Sequence, residues 1–314
     1  MTGRTPSGDG DRDPGLSRSR DSTGGATGSR NVTSRRPRSR GTPSGESGHT
    51  SRVGAALDRV TSPRAVPVLL GTVLLAYFVV PFVAFFGQVR SVDVVGGLAE
   101  PSTQEAIRTS LVTAPIATVI STVFGVPLAY VLSRGTFRGK RLVEAAVLLP
   151  LVVPPIVGGV MLLTVLGRYA PIGAAAAAFG IPLTGSRAGV ILAQTFVAAP
   201  FLVVSARAGF DGVDERLEEA ARTLGYGPVE TAWSVSLPLA RNAIAAGMVL
   251  TFVRAIGEFG ATMMVAYNPR TMPTRIEVLR ISQGLDAIVP IALALLAIAL
   301  VVGCLVQFLG TPSR

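Results

Sequence analysis

A polar stretch in the second half of the chain, residues 211–241, reads DGVDERLEEAARTLGYGPVETAWSVSLPLAR. Two apolar segments, Ala188–Val204 and Ala243–Tyr267, lie on either side of it. Because charged side chains are strongly disfavoured in the hydrocarbon interior, the stretch is too polar to cross a bilayer. We therefore expect a hydrophilic loop that connects two membrane-spanning segments.

This loop carries the signals of two short helices. Asp214 is a favourable N-cap, and Gly225 is placed to end the first helix. Pro228 suits the first turn of a second helix, which we expect to end at Leu237-Pro238. Apolar residues recur at helical spacing along the first helix and define one face: Leu217, Ala220, Ala221 and Leu224. The unit is either a docking element for a soluble partner or a linker that lies on the membrane surface.

Six apolar segments account for most of the chain from residue 66 onwards. A helix needs about 20 apolar residues to cross a bilayer. Only 15% of the residues are charged, whereas ordinary globular domains carry about 25%. The segments are Val66–Phe86, Leu111–Leu132, Leu142–Leu166, Ala188–Val204, Ala243–Tyr267 and Ala287–Leu309. The sequence therefore predicts an all-α integral membrane protein with six transmembrane helices.

The third apolar segment contains a strong helix-breaking signal. Pro154-Pro155 is followed closely by Gly158-Gly159. Proline lacks a backbone N–H and disfavours the helical conformation of the residue before it. We expect the helix to break visibly at this point.

The distribution of basic residues predicts the orientation in the membrane. Residues 133–141 hold four positive charges in nine residues, and the loop after the fourth segment adds Arg207, Arg216, Arg222 and Arg241. The loop after the fifth segment weakens this asymmetry without reversing it, because it carries Arg270, Arg275 and Arg280. The positive-inside rule then places both basic loops and both termini in the cytoplasm of a multi-pass cell-membrane protein.

The N-terminal segment, residues 1–64, differs from the rest in composition. It holds 12 Arg against 6 acidic residues and almost no large apolar side chains. Such a segment cannot bury enough surface to offset its ordering entropy, so we expect a disordered Arg-rich tail. A basic tail is typical of nucleic-acid binding or of contact with anionic lipid headgroups, and the adjacent membrane segment favours the cytoplasmic, lipid-facing interpretation without nucleic acid.

The loop also carries a motif with fixed spacing. Glu219-Ala220-Ala221 is followed after three residues by Gly225 and after nine more by Val235-Ser236-Leu237-Pro238. This pattern resembles the signature loop of permeases from binding-protein-dependent ATP-binding-cassette (ABC) importers, with Val235 as a conservative departure. The resemblance implies a coupling loop that fits a groove on a separate ATPase subunit. The residues it assigns to docking are Glu219, Ala220, Ala221, Gly225, Leu237 and Pro238.

A second resemblance concerns the fifth apolar segment, where residues 254–262 read RAIGEFGAT. The stretch is similar to the molybdate, tungstate and sulfate permeases, and the continuation Ala266-Tyr267-Asn268-Pro269 is closest to the archaeal molybdate/tungstate type. It implies import of an oxyanion, with molybdate or tungstate first, sulfate or thiosulfate as the alternative, and other solutes still open. The implied partners are an ABC ATPase that carries ATP and Mg, an extracellular oxyanion-binding protein, and a second permease subunit in a homodimer.

The resemblance covers residues 105–310 and sets the expected organisation. We expect residues 65–104 to hold the first transmembrane helix and an external loop. Residues 105–310 then form the ABC permease core, and residues 205–242 form the coupling loop within that core.

Arg254 and Glu258 are the charged residues that stand out within the fifth segment. Four residues apart, they share one face of a helix, and Arg254 lies about 16 Å along it from Ala243, near mid-membrane. Charges at such depth are usually paired and often face a cavity. The pair is either a structural ion pair or a source of positive potential on an oxyanion path or gate.

Nothing in the sequence points to catalysis, a resident cofactor or a metal site in this chain. The one histidine, His49, lies in the tail, and the one cysteine, Cys304, lies in the last apolar segment. The run Gly135 to Arg141 lacks the spacing and the hydroxyl residue of a phosphate-binding loop. A self-contained secondary transporter is the alternative function, but no internal repeat is visible. An intramembrane enzyme would have only Arg254 and Glu258 to use.

Overall fold

The described part of the chain in this computed structural model comprises residues 65–310, with side chains described for residues 66–304. The expected tail at residues 1–64 lies outside the described residues. Within them all regular structure is helical, as a membrane bundle requires when every backbone group must be satisfied within its own segment. The predicted all-α membrane class is confirmed.

Thirteen α-helices follow one another in the described residues. They are α1 Ala65–Gln88, α2 Val94–Ala99, α3 Pro101–Arg134, α4 Lys140–Val152, α5 Pro155–Leu166, α6 Pro171–Ala178, α7 Arg187–Asp211, α8 Glu215–Thr223, α9 Pro228–Thr231, α10 Leu237–Ile256, α11 Gly260–Val265, α12 Met272–Gln283 and α13 Val289–Gly310. A π-helical turn, Ala232–Ser236, joins α9 to α10.

Among residues 65–310, five helical stretches are long and apolar enough to cross a membrane. They are Val66–Ser91, Pro101–Arg134, Arg187–Asp211, Pro228–Ile256 and Asp286–Cys304. A sixth span is reached if α4 and α5, which are bent by 120° at their junction, are counted together. Five of the six predicted segments therefore contain such a helix, and the third contains the bent pair α4–α5. The count of six spans stays a prediction.

The break between α4 and α5 falls where the sequence predicts it. α4 ends at Val152, and both Val153 and Pro154 are extended, with ψ of 129° and 133°. Pro155 then occupies the first turn of α5, where its missing N–H leaves no unmade hydrogen bond. The two prolines therefore force the chain out of the helix and start the next one.

The fifth apolar segment differs from the prediction of one continuous helix. α10 ends at Ile256, and a new short helix, α11, begins at Gly260. The Glu258 side chain supports the break, because its Oε1 accepts a hydrogen bond of 2.9 Å from the Ala261 N–H. This acceptor satisfies a donor that would otherwise be left free at the start of α11.

The two broken spans pack against each other through glycines. A Cβ atom at Gly260 would lie 2.9 Å from the Ile156 backbone nitrogen and 3.0 Å from Pro155 Cβ. A Cβ at Gly159 would lie 2.9 Å from the Ala261 Cα. These positions admit only hydrogen, so the backbones of α5 and α11 approach closely, as small residues allow in membrane proteins.

Helices α3 and α7 form the centre of the bundle and run parallel. Gly125 on α3 lies against Val203 on α7, and eight residues further along both helices Ser133 donates a hydrogen bond to Asp211. Apart from Leu132 near its end, the buried residues of α3 are small or hydroxyl-bearing: Thr103, Ala106, Thr109, Ser110, Thr113, Ala114, Ala117, Thr118, Ser121, Gly125 and Ala129. Such residues let helices approach closely in lipid, where apolar burial supplies little driving force.

At the end of the bundle opposite the 211–241 loop, α12 is tied to the start of α3. The Arg275 guanidinium lies 2.7 Å from Glu100 Oε1, and the Met272 N–H donates to Ser110 Oγ at 2.8 Å. A hydrogen bond from Ser102 and the charge of Arg275 together lower the pKa of Glu100. Glu100 therefore stays ionised and holds this contact at neutral pH.

Substitution of Gly260 by Ala tests the packing of the two broken spans. The added methyl group has no room beside Ile156 and Pro155, so we expect a loss of about 1–3 kcal/mol in the free energy of unfolding. The measurement is the thermal unfolding midpoint of the purified protein in detergent. Gly71→Ala is the matched control, because a Cβ there meets nothing within 4 Å. Equal midpoints for the two variants would contradict the packing described.

Candidate docking loop and buried ion pair

The first loop helix forms as the sequence predicts. Asp214 Oδ1 accepts a hydrogen bond of 3.0 Å from the Arg216 N–H, and α8 runs from there to Thr223. Gly225 follows with a φ of +96°, a left-handed conformation that side chains with a Cβ adopt at a cost. The helix start at Asp214 and the glycine stop at Gly225 are both confirmed.

The second loop helix starts as predicted but does not end at Leu237-Pro238. Pro228 opens α9, and the chain then continues through the π-helical turn directly into α10. In the turn the Leu237 N–H donates to the Ala232 carbonyl, five residues back. This wider turn removes the clash that the Pro238 ring would have with the carbonyl four residues before it in a regular helix. The predicted helix end is therefore wrong, and the loop is continuous with the span α10.

The predicted apolar face of α8 is divided between the protein interior and the surface. Ala221 is buried, whereas Leu217 and Leu224 are exposed, Leu224 by 79%. On the far side of the glycine turn, Val229 and Trp233 are exposed by 83% and 73%. Large apolar side chains that stay exposed on a polar loop are typical of a surface that a partner covers. We call these four residues, Leu217, Leu224, Val229 and Trp233, the apolar loop residues.

The residues of the signature motif have different environments in the structure. Glu219 and Ala220 are exposed on α8, and Ala221 packs inward. Gly225 shapes the turn, and Leu237 and Pro238 belong to the first turn of α10. The motif thus supplies both the shape of the loop and part of its outer surface.

Sequence reasoning missed a buried carboxylate next to the motif. Glu218 is 2% exposed and accepts hydrogen bonds from Arg134 Nε at 2.9 Å and from Ser236 Oγ at 2.7 Å. The available signal was its position three residues before Ala221, which places both on the same face of α8. The motif drew attention to Glu219, which is exposed.

Arg254 and Glu258 are in contact, although not along one helix. Glu258 lies just past the end of α10 and is 1% exposed, and its Oε2 contacts Arg254 Nη1. The expectation that the two residues share a helix face is wrong because the helix ends at Ile256. The Arg254 side chain remains 28% exposed.

No group of three or more metal-ligating side chains occurs among the described residues. An ion pair with a buried carboxylate lies at the α10–α11 break, and the loop carries exposed apolar side chains.

The chain resembles known proteins over most of its length. Residues 121–311 match the family described as the binding-protein-dependent transport system inner membrane component. The chain belongs to this family. It is a permease subunit of the ABC importer class, and the resemblance seen in the sequence is confirmed.

Similar proteins cover most of this permease. It is 49% identical over 253 residues to the "Probable molybdenum ABC transporter permease protein" of Haloferax volcanii, covering 79% of this chain and 91% of that protein. It is 40% identical over 234 residues to the "Molybdate/tungstate transport system permease protein" of Pyrococcus abyssi, covering 74% and 89% of the two chains.

The fold of the permease is also that of a solved importer. A crystal structure of a bacterial ABC transporter involved in alginate import contains a chain that matches with a TM-score of 0.64. The match covers 83% of this chain and 98% of that chain at 15% sequence identity. At this identity the likeness concerns the fold alone, and it agrees with the helical membrane architecture.

Replacement of Gly225 by Ala tests the loop geometry of the permease. At a φ of +96° the alanine adds strain of about 1 kcal/mol, and local opening of the loop should become about fivefold more frequent. Hydrogen–deuterium exchange of the amides in residues 215–231 measures this opening.

Gly227→Ala is the matched control for this loop variant. Gly227 has an ordinary φ of −69°, and neither glycine has any atom within 4 Å of an added Cβ. Any difference between the two variants therefore reports on backbone conformation. Identical exchange rates in the two variants would contradict the assigned role of Gly225.

Proposed function

We propose that the protein is the membrane-spanning subunit of an ATP-driven importer that moves molybdate or tungstate into the cell. The observation that carries the substrate class is the 49% identity to a permease named for molybdenum, over 91% of its length. The relative named for molybdate and tungstate supports the same class. The residues 254–262, RAIGEFGAT, agree with this assignment.

A separate ABC ATPase, which carries ATP and Mg, powers the transport in this proposal. The ATPase receives the loop in a surface groove, where the apolar loop residues are covered and Glu219 and Ala220 make contact. The support is the exposure of these side chains on a loop that is continuous with α10. Because α10 follows the π turn without interruption, movement of the loop is passed directly to a membrane span.

The proposed orientation places the loop in the cytoplasm. The loop end of the bundle carries the basic residues 133–141 together with the loop itself. The opposite end, where Glu100 contacts Arg275, then faces outward and receives an extracellular oxyanion-binding protein. Both chain termini are cytoplasmic in this arrangement.

A second copy of the chain completes the permease in our proposal. α1 supports this, because no described side chain within it is buried and large apolar residues occur on all its sides. Lipid covers part of that surface, and the second protomer covers the rest. The translocation path runs between the two protomers, and the exposed part of Arg254 lends it positive potential for an anion.

Replacement of Leu224 by Asp tests the docking assignment. The charge on this exposed residue prevents apolar contact with the ATPase, so we expect copurification of the ATPase to fall at least about tenfold. Leu285→Asp is the matched control, since Leu285 is also exposed, by 61%, but lies beyond α12 outside the loop. Equal ATPase recovery with both variants would refute the docking face.

The role of Arg254 is tested by Arg254→Gln and by the double variant Arg254→Gln/Glu258→Gln. The single variant leaves a buried carboxylate without its partner, which costs about 3–5 kcal/mol, and the double variant removes this cost. If Arg254 serves the anion path, both variants lose molybdate uptake by at least about tenfold, although only the single one is unstable. Uptake restored in the double variant would show a purely structural pair. Arg280→Gln, an exposed position outside the spans, is the control.

A further inference from the structure

A network of hydrogen bonds and ion pairs between charged and hydroxyl side chains joins five helical elements at the loop end of the bundle. It starts on α4, where Glu144 Oε1 lies 2.9 Å from Arg207 Nη2 of α7. Arg207 also approaches Asp211 on the next turn of α7, with Nε 3.6 Å from Oδ2. Asp211 in turn accepts a hydrogen bond from Ser133 of α3.

The second half of this network connects α3 to the loop. Arg134 Nη1 donates to Ser133 Oγ at 3.2 Å, and Arg134 Nε donates to Glu218 Oε1 of α8 at 2.9 Å. The same Glu218 oxygen accepts a hydrogen bond of 2.7 Å from Ser236 Oγ in the π-helical turn. The contacts therefore connect α4, α7, α3, α8 and the π turn.

Arg134 is the junction between the bundle and the loop. Its Nη2 donates to the Val213 carbonyl at 2.9 Å, so the guanidinium holds both the entry to the loop and the helix α8. The side chains of Arg134 and Glu218 are 12% and 3% exposed. If the pair separates, Glu218 keeps only the half-exposed Arg222 as a charged partner, whose Nη2 lies 3.7 Å from Oε2, so a largely buried carboxylate loses its main partner. This loss disfavours sliding of α8 against α3.

The loop is attached to α3 by side-chain bonds, because the two are not adjacent in the sequence. The backbone joins the loop to α7 at one end and to α10 at the other. α3 precedes the loop by about 80 residues, and Arg134 attaches it by bonds across separations of 79 and 84 residues. A force applied to α8 is therefore passed to α3 as well as to the two spans adjacent in sequence.

We propose that Arg134 and Glu218 are positioning residues that couple movement of the docking loop to α3. This rests on the proposed function, because the force on α8 comes from the ATPase. The pair contacts neither nucleotide nor transported anion. Its role is to make α3, α8 and the π turn move as one body, so that hydrolysis and opening of the path stay linked.

The test uses the complete complex of permease, ATPase and loaded binding protein in proteoliposomes, with molybdate as the transported probe. The measured quantity is the number of anions imported per ATP hydrolysed. Arg134→Gln should leave the complex assembled and hydrolysing ATP while this ratio falls, within the roughly twofold to thirtyfold range of single coupling residues. Arg138→Gln, at an exposed position four residues beyond the end of α3, should keep the wild-type ratio.

Two results would overturn the proposal. One is an unchanged ratio in the assembled Arg134→Gln complex, and the other is a proportional loss of hydrolysis and uptake, which indicates a structural role only. If Arg134→Gln does not assemble, Arg134→Lys replaces it, since lysine keeps the charge but cannot bond Glu218 and Val213 together in the fork geometry of arginine. A wild-type ratio in the lysine variant would equally overturn the proposal.

Failure of the proposed function would look different. In that case the wild-type complex itself would import no molybdate on ATP hydrolysis, and the variants would have no ratio to compare. A wild-type complex that transports another oxyanion would change the substrate and leave the positioning test intact.

Discussion

The carboxylate of Glu218 has almost no contact with solvent, and the placement of the whole loop depends on keeping it paired. Arg134 supplies the charge and Ser236 supplies a second donor, so three separate parts of the chain meet at one side chain. Because an unpaired charge is very unfavourable in the interior, this contact restricts α8 to one position against α3. The glycine turn and the exposed apolar loop residues are held in place by that restriction.

The second constraint is that backbone groups in a membrane bundle must be satisfied where helices break. The α4–α5 break uses two prolines, and the α10–α11 break uses the Glu258 side chain as an acceptor for Ala261. Both breaks lie against each other, with Gly260 beside Pro155 and Ile156. The helix breaks in these two spans therefore lie together, next to the Arg254–Glu258 ion pair.

The sequence predicts the fold well where local signals decide it. Apolar segments mark the helices, Asp214 and Gly225 mark the ends of α8, and Pro154-Pro155 marks the broken span. It fails where tertiary contacts decide. Pro238 continues a helix because a π turn makes room for it. α10 ends at Ile256, and Glu258 just beyond it accepts a hydrogen bond from the Ala261 N–H in the first turn of α11. Glu218 was missed because its partner Arg134 lies 84 residues away in the chain.

The central claim, that this permease imports an oxyanion with energy from a separate ATPase, is tested most directly by the energy source. Proteoliposomes that contain the permease and its ATPase, with the binding protein outside and ATP inside, should accumulate molybdate. Accumulation should stop when ATP is replaced by a non-hydrolysable analogue, with or without an ion gradient. Accumulation driven by a proton or sodium gradient in liposomes that hold the permease alone would contradict the account.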